Sequence, residues 1–113
     1  MTADLDPRDI AEVRRRVVDP IARTLLSAEE LDEVLVSIGV IDFPGLGPMD
    51  ALQVAVRARG EWLRPSTAWY IDDNLWNAEG FASDLYGSLQ DEIAESEFAW
   101  GQLRHGEYEV LPL

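Results

Sequence analysis

Ser27-Ala28-Glu29-Glu30-Leu31-Asp32-Glu33-Val34-Leu35-Val36-Ser37-Ile38-Gly39 is the stretch whose reading decides the fold. Ser27 followed three residues later by Glu30 has the form of a capping box, in which each residue bonds the other's backbone N–H. Leu31, Val34, Leu35 and Ile38 then recur at the spacing of one helix face. Gly39 stands where a helix commonly ends in a left-handed residue. The segment predicts a helix over 28–38.

Upstream, Asp6-Pro7 has the form of a helix start, with aspartate as N-cap and proline at the first helical position. Ile10, Val13 and Val17 share a face. Asp19-Pro20 then restarts or kinks the helix, because Pro20 brings no backbone donor. Arg14, Arg15 and Arg16 point in different directions around that helix, so they form no single basic stripe. Ion pairs with nearby acids are the simpler role for them.

Downstream, Pro44-Gly45-Leu46-Gly47-Pro48 is a loop. Residues 49–59 fit two periods. Met49, Leu52 and Val56 suit a helix, whereas Leu52, Val54 and Val56 alternate as in a strand. Ala51, Ala55 and Ala58 tip the reading to helix. Residues 67–71, rich in aromatic and β-branched side chains, read as a strand. Asp72-Asp73-Asn74 reads as a turn. From Asn77 to about Phe98, the apolar residues Phe81, Leu85, Leu89 and Ile93 recur every four positions and predict the longest helix. His105-Gly106 reads as a turn before a terminal strand at 107–111, which would pair with 67–71. The sum is an α+β fold, with about four helices packed on a small antiparallel sheet of two or three strands.

The chain has 113 residues, the length of a single domain spanning 1–113. It lacks cysteine, which removes disulfides, thiolate metal sites and a cysteine nucleophile together. The first residues lack the basic start and apolar stretch of a signal peptide. No apolar run approaches the roughly 20 residues that span a bilayer. The expected location is the cytoplasm.

The net charge is −13, and all nine basic residues are arginine. That balance opposes direct binding to nucleic-acid phosphates or to an anionic membrane, both of which need clustered cations. It favours fast encounter with a basic protein. The acids are also unevenly placed. Residues 1–64 hold eight arginines against twelve acids, and residues 65–113 hold one against ten. No basic residue occurs from Pro65 through Leu103.

On the predicted 77–98 helix, Asp84, Asp91 and Glu95 align at spacings of seven and four, flanked by Glu92 and beside the buried stripe. No arginine stands three or four residues away to neutralise them. Just before the helix, Tyr70, Asp72, Asp73 and Trp76 mix aromatic and acidic side chains, the types enriched where proteins bind one another. An acidic helix row is most often a solvated face, and tryptophans in a small domain are most often core. Against that background, Asp84, Asp91, Glu95, Glu92, Asp72, Asp73, Tyr70 and Trp76 are the candidate partner-binding residues.

Catalytic patterns are missing. His105 is the one histidine, and no serine lies in a G-x-S-x-G elbow. Gly45 and Gly47 are not part of a phosphate loop. Asp72, Asp73, Asn74, Asn77 and Glu79 do not have calcium-loop spacing. The sequence therefore predicts no enzyme, no cofactor and no metal. Its composition is shared, without a motif, with bacterial immunity proteins and antitoxins. The expectation is an acidic binding module of that type, occluding a basic, nuclease-like toxin through its C-terminal acidic surface. Two alternatives stand beside it: a small adaptor or structural subunit that forms homo-oligomers through exposed aromatics, and a mimic of DNA.

Overall fold

The computed structural model describes residues 5–65, 69–72 and 75–111. Two helices lie with a four-stranded antiparallel sheet in the order α1 (residues 10–25), β1 (Leu31–Phe43), β2 (Gly47–Ala58), β3 (Glu61–Leu63), β4 (Trp69–Tyr70) and α2 (Ala78–Glu95). The class is α+β, but the expected four helices on two or three strands are corrected to two helices on four.

The decisive segment is a strand. The capping box does form: Glu30 N–H donates to Ser27 Oγ at 3.3 Å, and Ser27 N–H donates to Glu30 Oε1 at 3.0 Å. It closes one turn only, and β1 begins at Leu31. The physical reason lies in the β-branched alternation Val34, Val36, Ile38, Val40, which meets a matching alternation in residues far along the chain. Val34 faces Val56, Val36 faces Val54 and Ile38 faces Leu52 across the β1–β2 ladder. Such cross-strand pairs stabilise a sheet more than the local helix pattern stabilises an isolated helix. The same ladder makes 47–58 a strand, correcting the helical reading of 49–59.

β3 and β4 pair with different parts of the other edge of β2. Arg59-Gly60 makes the two-residue β2–β3 turn, with φ of 53° and 78°. Positive φ at both positions is the type I′ geometry that matches strand twist. The expected terminal strand is also corrected. Residues 107–111 are not part of the sheet and lie against α1, where Leu111 N–H donates to the Arg16 carbonyl at 2.8 Å.

That contact explains how Pro20 sits inside a helix. Proline removes the N–H that would reach the carbonyl four residues back, Arg16. Leu111 supplies the missing donor, and the buried Arg16 returns a bond from Nε to the Leu111 carbonyl at 2.7 Å. A π-helical turn at Arg14–Val18 precedes the proline, and the helix continues through it. Asp19-Pro20 does not restart the helix, which begins at Ile10, capped by Asp9 rather than Asp6.

α2 forms where its period indicates. Asn77 caps it, its side chain accepting from Gly80 N–H at 2.8 Å. Phe81, Leu85, Leu89 and Ile93 are buried with Val13, Val17, Ile21 and Leu25 of α1 and with Val34, Leu52, Val54, Val56, Leu63 and Trp69 of the sheet. The sheet residues in this core share one face of the ladder.

Candidate functional site

The β4–α2 junction holds a cleft of about 240 Å³, lined by Phe43, Trp69, Tyr70, Leu75, Trp76, Asn77, Gly80, Phe81 and Asp84. Each wall has a local cause. β4 pairs with β2 through Leu52–Trp69 and Ala51–Tyr70, so its two aromatic residues point to opposite faces. Trp69 turns inward onto Phe81, edge to face at 4.9 Å between centroids. Tyr70 turns outward and meets Phe43, from the end of β1, at 4.9 Å. The Asp72 carbonyl accepts from Leu75 and Trp76 N–H, a turn that carries Trp76 back over Phe81 at 5.3 Å. Trp76 Nε1 donates to the Leu5 carbonyl at 3.1 Å, which fixes the ring. The indole N–H of the buried Trp69 meets no acceptor among the described residues.

The structure brings Tyr70, Trp76 and Asp84 together at this cleft. Asp91 and Glu95 are exposed further along α2. From Asp84 to Glu95 the helix advances about 16 Å at 1.5 Å per residue. Glu92 does not belong with them, because its Oε1 accepts the Arg64 backbone N–H at 2.9 Å. Asp72 is half-buried and engaged in the turn, and Asp73 lies outside the described residues. Sequence reasoning missed Phe43, Leu75, Asn77 and Gly80 as parts of one site. Phe43 reaches it only through the β1–β2 hairpin, which the helical reading of 28–38 excludes.

Ion pairing follows the uneven charge. Arg8–Asp50, Arg14–Asp19, Arg15–Glu12 and Arg57–Glu33 all join residues of the N-terminal half. Arg104, the one arginine of the C-terminal half, pairs with Glu30. This bond is the main reason why the Glu30 carboxyl is held down to about 2. Among the described residues, no arginine forms an ion pair with Asp84, Asp91 or Glu95.

Among the described residues no three His, Asp or Glu side chains are grouped to hold a metal ion. No helix among them is long and apolar enough to cross a membrane. Compared with protein families, with curated proteins and with solved structures, the chain matches none.

Proposed function

We propose that this chain is an acidic binding module that docks a basic protein on the face formed by α2 and the β4–α2 cleft. In this reading it works as an inhibitor of the immunity or antitoxin type, covering a cationic, nuclease-like surface. The observation that carries the reading is the row Asp84, Asp91, Glu95, which is exposed and without an arginine partner among the described residues. Such a row costs folding stability through like-charge repulsion and gains nothing inside the chain. Against arginines and lysines that otherwise hold phosphate, the same carboxylates form charge-assisted hydrogen bonds. Aromatic side chains beside them supply the apolar contact that concentrates binding energy.

Co-expression with a basic toxin encoded beside this chain tests the reading. Wild-type protein protects the host cell and co-purifies with the toxin, whereas Asp91→Arg combined with Glu95→Arg does neither while remaining folded. Equal protection by the double variant refutes it.

A second reading has its own observation. Among the described residues, β1 is a thirteen-residue strand hydrogen-bonded within the sheet to β2 alone, and Val40 on it is 67% exposed. A long edge of this kind is a template for pairing with a second copy. Self-association that persists at high salt favours that reading, because edge pairing is not driven by charge.

A further inference from the structure

We infer that the cleft at the β4–α2 junction is a receptor for one arginine side chain of the partner, with the guanidinium stacked among the aromatic rings and bonded to Asp84. This deepens the reading given above, since it names the chemical group that the acidic face takes in.

Size selects a single side chain. At about 240 Å³ the cleft is smaller than the roughly 300–1,000 Å³ of ordinary small-molecule sites. Its walls are Phe43, Tyr70, Trp76 and Phe81, with the half-exposed Leu75 at the rim. Aromatic faces attract a cation through the ring quadrupole, and tryptophan does so most strongly. Among the described residues, Asp84 is the one charged residue lining the cleft, and no arginine there already satisfies it.

One feature opposes a cation. Asn77 caps α2 and Gly80 belongs to its first turn, and the helix N-terminus carries a partial positive charge of about +0.5. Two facts outweigh it. The Asn77 side chain already occupies the Gly80 N–H at 2.8 Å, so that donor does not face the cleft unmet. Asp84 contributes a full negative charge one turn further on, within a molecule of net charge −13.

Arginine fits better than lysine. Its planar guanidinium stacks on rings and presents a two-pronged donor edge to a carboxylate, whereas an ammonium is compact and strongly hydrated. The Trp69 N–H is enclosed in the wall and meets no acceptor among the described residues.

The test uses three capped tripeptides, Gly-X-Gly, with X arginine, lysine or citrulline, titrated against the full chain. Binding is read from the indole N–H resonances of Trp69 and Trp76. The arginine peptide shifts them saturably in the millimolar range, the lysine peptide binds more weakly, and neutral citrulline of the same shape binds at least about tenfold more weakly. Asp84→Asn lowers arginine affinity about tenfold, since it removes a charge-assisted bond.

Gly80→Leu fills the cleft. The nearest atoms that a Cβ at that position meets belong to the Asn77 side chain, at 3.6 Å or more, and leucine raises helix propensity, so the variant keeps its fold and loses the peptide. Absence of any shift, equal binding of citrulline or lysine, or undiminished binding to Gly80→Leu overturns the inference. The outcome separates from that of the docking reading, whose test changes Asp91 and Glu95, residues outside the cleft.

Discussion

Replacing Glu30 by glutamine removes one charge from the bolt that joins three segments. Arg104 Nη1 donates to Glu30 Oε1 and Nη2 donates to Oε2 at 2.8 Å. The same Nη1 reaches the Leu25 carbonyl at the end of α1 at 3.2 Å, and the guanidinium lies 5.8 Å from the Phe98 ring beyond α2. Glutamine keeps the shape and the acceptor for Ser27 N–H, but it turns an amide NH2, a donor, toward the donating guanidinium. A carboxyl that ionises near pH 2 rather than at its ordinary 4.5 implies about 3 kcal/mol of preference for the charged form. Both side chains keep some contact with water, and screening there reduces the expected loss to about 1–2 kcal/mol.

The pH dependence has a definite sign. Because folding lowers the Glu30 value, its contribution is complete above about pH 4.5 and disappears as pH falls toward 2. Urea unfolding of wild type and Glu30→Gln, followed by far-ultraviolet circular dichroism from pH 7 to pH 2, isolates this group from the other acids. The gap between the two proteins is about 1–2 kcal/mol from pH 7 to pH 5 and closes below that. A gap that is absent at pH 7, or that widens on acidification, shows that the Glu30–Arg104 pair does not hold these segments together.

Arg59→Asn gains about 0.5–1 kcal/mol in the same unfolding assay, because asparagine tolerates the left-handed conformation of the β2–β3 turn better than arginine. Gly106→Ala loses about 1–3 kcal/mol, since a Cβ there overlaps the Thr24 methyl, and Thr24 is held by a 2.8 Å bond to the Pro20 carbonyl. Adding Thr24→Ser, which removes that methyl, restores most of the loss in a double-mutant cycle. Trp69→Phe changes stability by less than about 1 kcal/mol, the lost ring contact being offset by removal of a buried donor that meets no acceptor among the described residues. A loss above about 2 kcal/mol shows that the indole N–H is bonded.

What the sequence reveals depends on how local the cause is. α2 is legible because its four-residue period and its cap both lie within the segment, with solvent on one side and core on the other. The Ser27–Glu30 box is legible for the same reason. β1 is not, because Leu31, Val34, Leu35 and Ile38 satisfy a helix locally, while its strand partners lie at 47–58. Pro20 misleads because the group that compensates for it, Leu111, comes from the far end of the chain. The alternation in 107–111 misleads because that segment lies against a helix, where alternation carries no register. At the site, Tyr70, Trp76 and Asp84 are recognisable one by one as binding types. Their convergence depends on the β2–β4 pairing and on Phe43, neither of which their own neighbourhood encodes.

If Asp91 and Glu95, without an arginine partner among the described residues, draw in a basic protein, their field sets the speed of encounter, which stopped-flow fluorescence follows. The rate constant for binding the proposed basic partner, followed against ionic strength, is expected to fall steeply with salt for the wild-type chain. Asp91→Arg with Glu95→Arg changes the net charge from −13 to −9 and inverts the local field. At low salt the double variant associates about tenfold or more slowly, with a shallower salt dependence. Identical rates and slopes for the two proteins contradict that role for Asp91 and Glu95.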